Sequence, residues 1–224
     1  MKYFQKLAVL GLTAISISRA DSLEEVLARM DRAAKDFRSV TANVKKIDFT
    51  AVLNESTTST GSLAMRRTKN GNEALMKFSE PDPYEWHLTG HTARRFFPRA
   101  NTVEVYDSNR LSAAEKTMLV GFGISASDLH KDYDIKLIGV ENVDSVHATR
   151  IELTPKSAEV RKNYAAKIEL WIADGEATPI QEKVSMPSKD YYQVAYSDLT
   201  VNSALPDSTF KLNLPPGVKE LHPQ

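Results

Sequence analysis

AKIELWIADGEATPIQEKVSM, residues 166–186, alternates apolar and polar side chains, puts Ile168, Leu170 and Ile172 on one face, and turns at Asp174-Gly175 before running back. Period-two alternation on both sides of an Asp-Gly turn is the signature of an antiparallel hairpin. Its other face carries nothing recognisably catalytic. The apolar face is therefore either ordinary core or one wall of a container.

Outward from this hairpin the same period recurs. Phe49, Ala51 and Leu53 alternate, then Leu63, Met65 and Arg67 after a predicted turn at NESTTSTG, then Ala74, Met76 and Phe78 after TKNGN. Pro81 and Pro83 punctuate the chain, a strand restarts on Tyr84, Trp86 and Leu88, and ARRFFPRANTVEVYD supplies two short strands around Pro98. DYDIKLIGVENV, VHATRIELTP, YYQVAYSDLTVN and STFKLNLPPG read as further strands, with KSAEVRKNY a short helix or turn between two of them. Two stretches break the pattern. Ser22-Leu-Glu-Glu25 is a capping box opening an amphipathic helix through Leu23, Val26, Leu27, Met30, Ala34, Phe37 and Val40. Residues 111–133 carry Ala113, Ala114, Met118 and Leu119 at helical spacing, with a second short helix capped at Ser125 or Ser127. The sum is about ten strands in one domain, mainly β with some α, and a sheet of that many strands curves or closes.

The first twenty residues, MKYFQKLAVLGLTAISISRA, place Lys2 and Lys6 before an apolar run too short to span a bilayer, followed by small residues. A signal peptide over residues 1–20 is expected, leaving a domain over 21–224 and localisation in the periplasm. Lys+Arg and Asp+Glu stand at 29 each; cleavage after Ala20 removes three cations (Lys2, Lys6, Arg19) and no anion, so net charge falls from zero to −3. Such a balance gives no field to draw nucleic acid to the surface. The chain has no Cys, hence no disulfide and no thiol to lipidate; its stability rests on its core.

Catalytic signatures are missing from the sequence. Gly121-Phe-Gly123-Ile-Ser-Ala126 fits a loose dinucleotide pattern but follows a helix where the fingerprint needs a strand. His87, His91, His130, His147 and His222 fall on different elements, there is no G-x-S-x-G elbow, and Glu24-Glu25 suits a helix N-terminus. No cofactor, metal or enzyme activity is expected. What remains is a one-sided apolar stripe: Leu63, Met65, Met76, Phe78, Trp86, Leu88 and Phe96. Met and aromatic side chains adapt to irregular partners, so the stripe fits a ligand cavity as well as a packed core. Arg67 continues the face of Leu63 and Met65, where a packed core would bury a permanent cation at a cost on the order of several kcal/mol, whereas a cavity mouth could hold it hydrogen-bonded.

The mature chain resembles the LolA family of periplasmic lipoprotein carriers. The resemblance runs through LARMDRAAKDFRSVTANVKK, GSLAMRR (the family's G-x-L-x-x-(K/R)-R strand), FFP, DYDIKLIG, ELTPK, the ADG hairpin and STFKLNLPPGVKEL. It implies a half-open, strongly curved antiparallel β-barrel covered by an α-helical lid, the cavity taking acyl chains. By the same resemblance Ile168, Leu170 and Ile172 face cavity or lid; Met30, Phe37, Met118, Leu119 and Phe122 belong to the lid; and Arg67 is a latch bonding lid backbone. The implied partners are acylated lipoproteins or lipids, an inner-membrane ABC-type lipoprotein-releasing complex and an outer-membrane acceptor, with the protein a monomer. Thr68 stands where the family usually has Pro, and GHTARRFF lacks its Asp-Gly turn. A carrier or sensor of another lipid, and a non-carrier β interaction domain, are the alternatives.

Overall fold

The computed structural model describes residues 21–90, 92–107 and 119–223. The expected signal peptide, His91, Met118 and the helical spacing over 111–118 lie outside the described residues.

Helix α1 (Leu23–Asp36) begins as the capping box predicts. The Ser22 hydroxyl accepts from the Glu25 amide at 3.2 Å, while the Glu25 carboxylate accepts from the Ser22 amide at 2.7 Å. Two of the amide donors that a helix start leaves open are thereby satisfied, and Glu24 and Glu25 sit at the positive end of the helix dipole. Val26, Met30 and Ala34, spaced by four, form its buried face.

Six strands follow: β1 (Ser39–Thr50), β2 (Glu55–Thr68), β3 (Gly71–Glu80), β4 (Tyr84–Thr89), β5 (Thr92–Phe97) and β6 (Thr102–Asp107). After α2 (Ala126–Asp132) come β7 (Tyr133–Val143), β8 (Val146–Pro155), α3 (Ala158–Asn163), β9 (Lys167–Ala173), β10 (Pro179–Ser185), β11 (Tyr191–Val201) and β12 (Lys219–Leu221). The twelve described strands share one sheet, ordered β12-β6-β5-β4-β3-β2-β1-β11-β10-β9-β8-β7. The chain therefore starts in the middle, meanders to one edge, crosses to the other edge after β6, and meanders back until β11 pairs with β1. The sheet is open and curved and carries helices on one face. The described part of the crossover between β6 and β7, residues 119–132, packs on the same face as α1.

Three predicted boundaries move. Helix α1 stops at Asp36 instead of running to Val40, which lies in β1. NESTTSTG is not a turn: the turn occupies residues 51–54, with Asn54 at φ 52°, and Glu55–Thr60 continue β2 in register with β1. Residues 51 and 53 thus leave the predicted strand, and the inner face of β1 is Val40, Ala42 and Val44. STFKLNLPPG is no strand. It forms a 3-10 turn (Asp207–Phe210) and irregular chain, and the last strand, β12, lies parallel to β6 in an otherwise antiparallel sheet.

Candidate ligand-binding site

Cross-strand register assigns the two faces. Ala42 pairs with Leu63, Leu63 with Met76, Met76 with Trp86, and Trp86 with Arg95, so these residues share the inner face. Across the seam, Ile151 pairs with Leu170, Leu170 with Glu182, and Glu182 with Val194. The helices cover this second half. Ile151, Leu153, Ile168, Leu170, Ile172 and Val194 are fully buried in one cluster with Met30 and Phe37 and with Leu119, Val120 and Phe122 of the crossover. Phe122 meets Tyr196 edge-on at 5.0 Å.

The crossover fits so closely because of its glycines. Gly121 has φ +97°, and a Cβ there would lie 2.9 Å from the Pro179 Cγ; Gly123 has φ +65°, and a Cβ would stand 2.4 Å from the Phe37 ring. Any L side chain at either position would meet both backbone strain and a neighbour. The Gly-x-Gly pattern thus serves close approach between lid, helix and sheet.

Arg67 joins lid to sheet. Its Nη1 donates to the Ala34 carbonyl of α1 at 2.8 Å and its Nη2 to the Gly123 carbonyl at 2.6 Å, with the guanidinium 5.5 Å from the Phe37 ring centre. The carbonyls come from the two separate parts of the lid. Arg67 lies at the exposed rim beyond Met65, where solvent still reaches it, hydrogen-bonded and not buried as a packed core would require.

The first half of the inner face is only partly filled. A cavity of about 310 Å³ is lined by Met76, Phe78, Tyr84, Trp86, Phe97, Met186 and Tyr192, with Lys46, Asp48 and Arg95 among its walls. Lys46 is paired with Asp48 at 2.7 Å and lies 5.6 Å from the Tyr192 ring centre. Phe78 stacks on Tyr84 at 4.7 Å. Burial, helped by the negative charge of Asp48, pushes the Tyr84 hydroxyl up to about 12, so it stays a neutral group. The Trp86 indole N–H is buried with no hydrogen-bond partner among the described residues.

Of the residues singled out in the sequence, Met76, Phe78 and Trp86 line this cavity. Leu63 and Met65 are buried beside it, and Leu88 packs half-buried against the same cluster. Ile168, Leu170 and Ile172 lie under the lid, packed dry. Phe96 is misassigned: it pairs with Glu85 and is buried on the outer face, while its neighbour Phe97 reaches the cavity. The sequence reading also passed over Tyr84, Met186 and Tyr192, and above all Glu182, which keeps the parity of Val184 and sits on the inner face with no exposure. A larger hollow, about 900 Å³, lies between residues 143–146 and the outer-face side chains Lys45, Ser62 and Lys77; no described lid residue borders it.

No family model and no curated protein matches the chain. Solved structures do. An uncharacterized conserved protein from Thermus thermophilus superposes with a TM-score of 0.57 at 11% identity, covering 91% of this chain and 100% of that one. MucB superposes with a TM-score of 0.51 at 14% identity over 84% of this chain, which spans 62% of MucB. A LolA superfamily protein from Nitrosomonas europaea matches with a TM-score of 0.42 and 16% identity, over 86% of this chain and 99% of that one. The chain shares its fold with the Thermus thermophilus protein and with MucB. At these identities the likeness concerns architecture alone.

Proposed function

We propose that the protein is an exported, periplasmic carrier that shelters the acyl chains of lipoproteins between lid and sheet and conveys them from the inner to the outer membrane. The observation that carries this reading is the unfilled apolar space on the same face that the lid covers, with the two lid segments fastened to the sheet's rim through one side chain. At about 310 Å³ the space is at the small end of ligand pockets, roughly 300–1,000 Å³. It takes part of one chain; fuller uptake requires the lid to move off Leu170 and Tyr196. A latched lid over a small cavity is what the unloaded state of such a carrier would be. In this reading Arg67 is the latch, and its planar fork holds two carbonyls in a way that a Lys ammonium cannot.

The energetics suit a carrier. At about 0.8 kcal/mol per buried CH₂, a 16-carbon chain gains on the order of 12 kcal/mol. Unopposed, such an affinity would hold the cargo permanently; displacing Phe122 and breaking the Arg67 bonds supplies an opposing cost.

Two measurements test the proposal. Mass spectrometry of material copurifying from the periplasm should find acylated lipoproteins. Free lipids would favour a carrier or sensor of another lipid, and neither would favour an interaction domain. Titration with a fatty-acid probe should change the emission of Trp86, which lines the cavity, while Trp171, on the outer face and bonded to Glu141, gives a constant background. Unchanged emission together with no probe binding would remove the container reading.

A further inference from the structure

The covered half of the inner face contains one residue that its packing does not explain. Glu182 is completely buried among Leu170, Val194 and the neighbouring apolar rows, and neither carboxyl oxygen has a hydrogen bond of acceptable geometry among the described residues, although the Tyr196 hydroxyl lies close enough to interact with it. A polar group left in this state destabilises a fold by about 1–3 kcal/mol, and an apolar residue of similar volume would serve the packing better. Burial pushes the carboxyl well above its ordinary range, favouring the neutral acid, which has an O–H to donate. The other titratable groups bearing on this network, Tyr133 from β7 and Tyr192 and Tyr196 from β11, are phenols.

Its place in the register is informative. The cavity beside Trp86 ends at Tyr192, which pairs with Val184. The next inward-facing row along β11 is Val194, paired with Glu182, about 7 Å further on at the usual rise of a strand. The row after that is Tyr196, on which Phe122 of the crossover rests. Glu182 therefore lies between the end of the open cavity and the lid residue that stops it from extending.

Building on the carrier reading, we infer that Glu182 is a polar anchor for the acyl carbonyl of the cargo: once Phe122 withdraws, its carboxyl O–H donates to an ester or amide carbonyl. This places the head end of the cargo beneath the lid and sends the chain toward Met76 and Trp86. Hydrocarbon alone gives no orientation; Glu182 adds a neutral donor at the lid end, while Lys46 in the cavity wall is paired with Asp48. The shared chemistry is a carbonyl acceptor on an acyl chain, whatever the head group beyond it.

Trp86 reports the orientation. Methyl esters of stearate bearing a doxyl quencher at carbon 5 or carbon 16 are titrated into the full mature protein. The expected result is stronger quenching of Trp86 by the carbon-16 label, because the tail lies near the indole. Glu182→Leu should keep the fold with a thermal midpoint no lower than wild type, weaken ester binding by about three- to tenfold, and erase the difference between the two labels. Glu182→Gln, which still offers an N–H donor, should retain the difference. Equal quenching by both labels in wild type, stronger quenching from carbon 5, or a difference that survives in Glu182→Leu would overturn the inference while leaving the carrier intact. Loss of the difference in Glu182→Gln would also overturn it, since the residue would then not act as a neutral donor. Failure of either ester to bind would end both this inference and the carrier reading. The wild-type comparison decides the matter even if a variant does not fold.

Discussion

The two halves of the inner face are written with the same period and end in different states. From β8 to β10 the inward residues are mostly Ile, Leu and Val, and they lie closed under α1 and the crossover. From β3 to β5 they include Met76, Phe78, Tyr84, Trp86 and Phe97, and these surround empty space. Branched aliphatic side chains interlock in few rotamers and specify a dry core, whereas thioether and aromatic groups fill irregular space and tolerate a change of neighbour. Alternation thus marks a wall, and the shape of the side chains on it separates the part that is core from the part that can hold something else.

The sharpest way to break this comparison is a pair of truncations. Leu170→Ala, in the closed half, should lower unfolding free energy by about 3–5 kcal/mol, and Met76→Ala, with one side already facing a cavity, by nearer 2 kcal/mol. Urea denaturation measures both, and equal losses would mean that the halves are packed alike. Gly123→Ala comes next: a Cβ against the Phe37 ring at φ +65° should cost about 1–3 kcal/mol and loosen the lid without touching the open half.

Glu182 sharpens the contrast through pH. Its folded pKa is raised above the unfolded value, so the stability it contributes is complete below the ordinary carboxylate range and is lost as pH rises toward and through the folded pKa. Wild type should therefore lose up to about 1.4 kcal/mol per pH unit across that interval relative to Glu182→Gln, the two converging in acid. Parallel stability curves would mean that the carboxyl is not held neutral. The smallest change in stability belongs to Arg67→Leu, about 1 kcal/mol, because its bonds lie at an exposed rim. Its effect should appear in transfer: cargo is accepted at least as readily as by wild type, and release to acceptor membranes fails. Arg67→Lys should share the transfer defect. Unfolding of both variants, with normal transfer by the folded remainder, would remove Arg67 from the mechanism.

Much of the architecture was legible because it rests on local rules. The capping box at Ser22, the Asp-Gly turn at 174–175 and the alternation of Leu63 with Met65 each depend on residues within a few positions. The errors have a common cause, which is information supplied by the partner strand. Glu55–Thr60 is a polar run with turn-like composition that is held extended by pairing along its whole length with β1. Arg94-Arg95-Phe96-Phe97 has no alternation of its own, so only pairing with β4 reveals that Phe97 and not Phe96 faces inward. Glu182 could have been noticed as an acid two positions before Val184 on an apolar parity, but its complete burial depends on β9, β11 and the lid, and no single segment contains that fact.

The seam between β1 and β11 has a consequence for how the protein is made. Each meander can assemble from hairpins whose strands are near neighbours in the chain, but the seam joins Val40 to Val201 and so must close a loop of roughly 160 residues. Until it does, β1 and β11 are each a bare edge, able to pair with any other unfinished strand. A chain made from its N-terminus delivers β1 early and its partner near the end. The interval between those two arrivals is when this protein is most exposed to aggregation, and its length is set by the rate at which the chain is delivered.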